Sequence, residues 1–273
     1  MIRAWERTVS YFLLTLFCVV TLYPILGVIG VALTPAGSPV TGFALSWPPH
    51  FGNFARAWDV GQFGDYMRSS VIIAVAVCAV SSVLAVLGGY AFGTMKFRGS
   101  KIIFYLIMLG LAMPYEAMII PLYYDLRHFG IVNSYWSVIL PDIGISVSFG
   151  TFWMRAFFLS SPRSLLEAAR IDGATTWQTL WRVLVPTARP AILTMVILLF
   201  MWTWNDFLLP LVMLQSPNLA TAPLGISLFI GQYSTDQQGL AAAAVIVAFP
   251  IVVLYLFLQR HFIRGMISGA MKL

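Results

Sequence analysis

Residues 160–189 read SSPRSLLEAARIDGATTWQTLWRVLVPTAR, a segment too polar to span a membrane and too long to be a simple turn. Local rules turn it into two short helices. Ser161 suits an N-cap, and Pro162 suits the first helical position, where its missing N–H would have no partner anyway. Leu165, Leu166 and Ala169 continue that helix as far as Asp172-Gly173, glycine being the residue that enters a left-handed cap without a Cβ clash. Thr175, with Gln178 three residues on, makes a capping box. The second helix then runs through Trp177, Leu180, Trp181 and Leu184, and Pro186 is expected to end it. Ala168 and Ala169 beside Glu167 form a bare stripe with a charge to set register, which suits docking into a partner. An amphipathic helix resting on lipid has the same pattern, so the residues alone leave both readings open.

Everything around this segment is apolar. Sixty per cent of the 273 residues are hydrophobic and ten per cent charged, whereas a soluble chain is about a quarter charged and covers its surface that way. Six apolar blocks stand out, at 11–33, 70–92, 102–120, 137–159, 191–214 and 240–258, each long enough to cross about 30 Å of hydrocarbon. Strand-like alternation is missing, so a barrel is disfavoured and helices satisfy the backbone within lipid. The expected fold class is an all-α integral membrane protein: one transmembrane domain, 1–273, of six transmembrane helices with a helix–turn–helix at 160–189. The first block is longer than a secretory signal core and is read as a retained span. Cys18 and Cys78 lie in apolar runs without metal-type spacing and are expected to be buried apolar residues.

The positive charges orient the spans. With the N-terminus inside, only Arg56, Arg68 and Arg127 of the sixteen Lys and Arg residues fall outside. The positive-inside rule therefore predicts both termini, and segment 160–189, in the cytoplasm. The net charge of +6 is accounted for by anionic membrane lipid, with no nucleic-acid partner required. On the outer side, 34–69 is rich in Pro, Gly and aromatics, with Trp47 and Trp58 as headgroup-level anchors.

Glu167-Ala168-Ala169, then Gly173 after three residues, then Val183, Val185 and Pro186 at the right spacing, resembles the EAA loop of permease subunits of binding-protein-dependent ABC importers. Val183 and Val185 stand where the family pattern has Ile and Leu. Trp204–Leu211 (WNDFLLPL) and the ending QRHFIRGMISGAMKL are similar to the carbohydrate-uptake branch, which includes the smaller maltose-transporter permease. The resemblance implies the type I ABC importer permease fold in a prokaryotic inner membrane. It implies a second homologous permease, two cytoplasmic ATPases carrying ATP and Mg, an external solute-binding protein, and a sugar or polyol as cargo. Glu167, Ala168, Ala169, Asp172, Gly173, Ala174 and Pro186 are then the ATPase-coupling residues. No cofactor is expected on this chain. No Walker-type P-loop exists, and none of Lys96, Lys101 or Lys272 is followed by Ser or Thr, so ATP hydrolysis is expected on partners.

Ionisable groups within a span are costly, which makes them functional candidates. Asp206, placed in the middle of the fifth span with Trp202, Trp204 and Asn205, offers aromatic faces for sugar rings and polar groups for hydroxyls; hydrogen bonding between helices explains Asp206 equally. Glu116, after Pro114 and Tyr115, and Asp142, after Pro141, are weaker candidates. The histidines are scattered and no metal or catalytic constellation is present, so an enzyme is not expected. An ion-coupled secondary transporter or channel using Asp206 and Glu116 is the alternative, although it leaves the helix pair at 160–189 without a role.

Overall fold

The computed structural model describes residues 4–40, 46–231 and 235–270, with side chains as far as Gln259. The ending that follows Gln259 therefore lies outside the described side chains. In chain order the helices are α1 (Ala4–Ala32), α2 (Gly52–Val60), α3 (Phe63–Thr94), α4 (Ser100–Ala112), α5 (Tyr115–His128), α6 (Trp136–Ser160) and α7 (Arg163–Ile171). There follow α8 (Thr176–Gln178), a π-helical segment Thr179–Leu184, α9 (Val185–Asn205), α10 (Leu208–Met213), α11 (Ala222–Ser227) and α12 (Gln237–Ala270). Five stretches are long and apolar enough to cross a membrane, and a sixth is counted if α4 and α5 form one broken span.

That third span departs from the expected straight helix over 102–120. α4 and α5 meet at 99° across Met113 and Pro114. Pro114 sits extended at the N-cap of α5, with φ −66° and ψ 115°. A proline ring disfavours helical backbone in the residue before it, and Met113 has ψ 132°. The fifth span also differs, since helix ends at Asn205 and Asp206 lies in the break before α10 rather than mid-helix.

The chain divides into two compact units. The first comprises 1–64 and 224–250. Here the side-chain amide of Asn53 closes the end of α1, donating to the carbonyls of Ala32 at 2.8 Å and Thr34 at 2.6 Å. Those carbonyls have no helical donor of their own. Arg56 of α2 pairs with Asp236, which leads into α12, through two hydrogen bonds of 2.5 and 3.0 Å. The large apolar residues of α1 from Trp5 to Ile29 are exposed all round, as is Cys18, which corrects the expectation that both cysteines are buried. α1 leaves its apolar surface to lipid or partner helices.

The second unit, 65–223 and 251–273, contains two buried clusters. One joins α3, α6 and the helix from the π segment into α9, through Ala85, Tyr90, Met154, Phe158, Leu184 and Met195. The other joins α3, α5, α6 and α10, through Ile73, Val77, Ile119, Val138, Leu209 and Met213. With lipid tails as apolar as the side chains, helices associate by close packing over small residues. Gly89 of α3 meets α6 so closely that a Cβ there would lie 2.5 Å from Met154 Cβ, and one on Gly150 would lie 2.6 Å from Ala85 Cβ.

Candidate functional site

The helix pair expected at 160–189 is present, with its boundaries shifted. Pro162, not Ser161, occupies the N-cap of α7. The Ser161 hydroxyl instead donates back to the Phe157 carbonyl at 3.2 Å, finishing α6. α7 stops as foreseen: Gly173 adopts φ +74°, its N–H bonds the Arg170 carbonyl at 3.1 Å, and the Ala174 N–H bonds the Ala169 carbonyl at 2.9 Å. That pair of bonds is the Schellman motif, which satisfies the last carbonyls of the helix.

α7 presents Arg163, Ser164, Glu167, Ala168 and Arg170 to the outside, while Ala169 is buried. The bare stripe is therefore one alanine wide, since Ala169 serves packing within the chain. Ile171 is 86% exposed and Trp177 61% exposed, two bulky apolar side chains flanking the Gly173 turn.

The capping box forms as read. The Gln178 N–H donates to Thr175 Oγ1 at 3.3 Å, and the Thr175 N–H donates to Gln178 Oε1 at 2.8 Å. Pro186, expected to end this second helix, does not. Helix runs without interruption from Thr176 to Asn205. The wide π turn over Thr179–Leu184 absorbs the proline, with Val185 donating to Leu180 five residues back. Return from π to α register leaves a carbonyl without a helical donor, and a residue lacking an N–H at that place removes no bond the helix needs.

At the far end of this continuous helix lies a polar cluster. The Tyr115 hydroxyl, on the first residue of α5, is 2.9 Å from Asp206 Oδ2 and 3.1 Å from Asp142 Oδ1 of α6. One hydroxyl carries one proton, so it satisfies one carboxylate at a time. Asp142 is 8% exposed, and its Oδ2 has no hydrogen-bond partner among the described residues. Asp206 also accepts the Leu209 N–H at 3.4 Å, capping α10. Neither carboxyl has a basic partner within ion-pair distance among the described residues.

The four-residue cluster read from the fifth span divides between two faces. Trp204 is 2% exposed and stacks on Phe200 with ring centres 5.3 Å apart. Trp202 is half exposed, edge-on to Phe149 at 4.6 Å, and Asn205 is exposed, its amide donating to the Met201 carbonyl at 2.7 Å. Residues three apart share a helix face, as 202 and 205 do, whereas 204 joins 200. Glu116 is exposed at the start of α5. Tyr115 is the residue that sequence reading passed over. Its only local signal is its place between Pro114 and Glu116, and its partners lie 27 and 91 positions away.

A cavity of about 350 Å³ lies elsewhere in this unit, between Tyr123, Arg127, Asn133 and Gln215. Asn133, at φ +59°, ties two connections together by accepting the N–H groups of Gln215 and Ser216 at 3.0 and 2.8 Å.

Residues 83–268 match the family model described as binding-protein-dependent transport system inner membrane component. The arabinooligosaccharides transport system permease protein AraQ of Halalkalibacterium halodurans is 30% identical, over 99% of this chain and 97% of its own length. The diacetylchitobiose uptake system permease protein NgcG of Streptomyces coelicolor is 30% identical over 97% and 88%. Among solved structures, a bacterial ABC transporter involved in import of the acidic polysaccharide alginate superposes with a TM-score of 0.78 at 22% identity, over 96% of this chain and 99% of that one. With helices able to span a membrane and a family match over more than half its length, the chain belongs to the inner-membrane permeases of binding-protein-dependent ABC importers.

Proposed function

We propose that this permease forms half of the passage for a sugar or related polyol, most closely an oligosaccharide, and that segment 160–189 receives the stroke of a cytoplasmic ATPase. One observation carries the reading. The docking turn at Gly173 and the polar break at Asp206 are the two ends of a single helix, Thr176–Asn205. At 1.5 Å per residue its thirty residues span roughly 45 Å. A push on α7, Ile171 or Trp177 is thus delivered along a stiff rod to the cluster of Tyr115, Asp142 and Asp206. The sugar class is supported by the two relatives whose names state their cargo, both oligosaccharide systems.

In this reading the exposed face of α7 docks on one of two ATPase subunits, which hold ATP and Mg. A second homologous permease completes the passage, and an external binding protein delivers the solute, a role in keeping with a family described as binding-protein-dependent. Trp202, Asn205 and Glu116 face the passage, while Trp204 packs on Phe200 behind. Asp206 and Asp142 hold hydrogen-bond acceptors at the bend. The excess of basic residues on one side sets both termini and segment 160–189 in the cytoplasm.

The test is Glu167→Lys, an exposed position where charge reversal leaves the fold intact. A reversed charge at an interface costs several kcal/mol, so ATP-driven uptake is expected to fall about tenfold or more, with the protein still inserted and less ATPase co-purifying. Unchanged uptake and unchanged co-purification sink the docking role.

A further inference from the structure

A second polar site, unconnected with cargo, lies where the α3–α4 turn meets the end of α6. There a cavity of about 140 Å³ is lined by Phe92, Ser100, Lys101, Phe104, Tyr105 and Arg155. Arg155 is fixed in place: its Nε donates to the Phe92 carbonyl at 3.2 Å, and its guanidinium carbon lies 4.3 Å over the centre of the Phe104 ring. That posture uses Nε and one face of the guanidinium. The terminal N–H groups stay available for an acceptor of fork geometry. Lys101 is the second residue of α4, whose N-terminus has no side-chain cap, so the helix end adds its own partial positive charge. Neither Lys101 nor Arg155 has a carboxylate partner among the described residues. No Asp or Glu occurs between Asp65 and Glu116, or between Asp142 and Glu167, while Lys96 and Arg98 add charge in the turn.

The helix leaving this cavity is not dressed for water. Ile102, Tyr105, Leu106 and Leu109 are 68%, 67%, 60% and 57% exposed, and their spacing places them on one face of α4. A basic hollow at the mouth of an apolar stripe matches a molecule with a phosphodiester at one end and hydrocarbon behind it. We propose that this hollow binds the headgroup phosphate of an anionic phospholipid, with Arg155 and Lys101 holding the phosphate and the Ile102–Leu109 face taking an acyl chain. Basic hollows between membrane helices favour anionic headgroups for the same electrostatic reason. A zwitterionic lipid brings its own ammonium, which Arg155 and Lys101 repel. Inorganic phosphate shares the anion but has nothing for the apolar face.

The importer, isolated intact in mild detergent and delipidated, is examined by native mass spectrometry with added phosphatidylglycerol or phosphatidylcholine. The wild type is expected to retain phosphatidylglycerol in preference. Lys101→Gln and Arg155→Gln are each expected to weaken retention about fivefold. Lys101 is exposed, so its variant reports on binding even if Arg155→Gln, which gives up the Phe92 bond, fails to fold. Retention that survives added inorganic phosphate supports a lipid. Displacement by inorganic phosphate, equal retention of the two lipids, or a Lys101→Gln protein that binds like the wild type overturns the proposal.

Discussion

Tyr115 holds apart two carboxyls that would otherwise face each other with no donor between them. Leaving a buried polar group unsatisfied costs about 1–3 kcal/mol, more when it is charged. Tyr115→Phe should therefore lower the thermal midpoint of the purified protein, and adding Asp142→Asn should restore part of it by supplying an N–H donor in place of one carboxyl. A Tyr115→Phe protein as stable as the parent would show that the hydroxyl matters little. At this scale the sequence was only partly informative. Thr175, Gln178 and Gly173 act through bonds to residues within five positions, so their roles were readable. Tyr115 acts through distant partners that no local pattern displays. Trp202 and Trp204 were grouped together by adjacency, and helical phase separates them.

The elements themselves rest on small contacts. Gly89→Leu places a branched chain where a Cβ alone would lie 2.8 Å from the Arg155 backbone nitrogen. Backbone cannot yield as a flexible side chain can, and overpacking costs about 1–3 kcal/mol or more. The expected result is a large loss of folded protein in a detergent-solubility assay, beside little change for Gly144→Ala, which has open space around it. In the other unit, the hydrogen bond from Arg56 holds the Asp236 carboxyl below the usual carboxylate range, and Asp236 also accepts the Gly239 N–H at 2.9 Å as α12 begins. A depressed folded-state value means that the carboxylate stabilises the fold above the unfolded value, about 3.9. The contribution is lost as pH falls through the folded value. Both side chains are about a third exposed, so the effect is modest and screened by salt. Thermal midpoints measured from pH 6 down to pH 3 should converge for the parent and Asp236→Asn at the acid end, with the parent higher above it. Span positions were legible because apolar runs report length. The α4–α5 bend was not legible because the apolar run 102–120 reports length and not direction, whereas Pro114 separates two helices outright. The helix end at Pro186 was misplaced because the π turn that accommodates it has no signature in composition.

For the whole molecule, the proposed arrangement across the membrane rests on where the charges lie. In a chain whose Cys18 and Cys78 are replaced by serine, a cysteine at exposed Ser164 should react with a membrane-impermeant maleimide only when the cytoplasmic face is open. A cysteine at exposed Ala36 should react from the opposite side. The reverse pattern would overturn the proposed topology and, with it, the meeting of α7 with an ATPase. The fold class and the helix pair were readable, since lipid leaves a chain few ways to satisfy its backbone, whereas the count of six spans holds only if the bent α4–α5 pair is taken as one. The π turn over Thr179–Leu184 has one further consequence. It amounts to one residue inserted into an otherwise regular α-helix, and each residue turns an α-helix by about 100°. The insertion therefore acts as a rotational offset for everything after it. Deleting a single residue there would turn Trp202 and Asn205 away from the face they now share and bring other side chains round in their place. The spin of the rod is thus set near its Thr176 end, the same end at which the proposed stroke is applied.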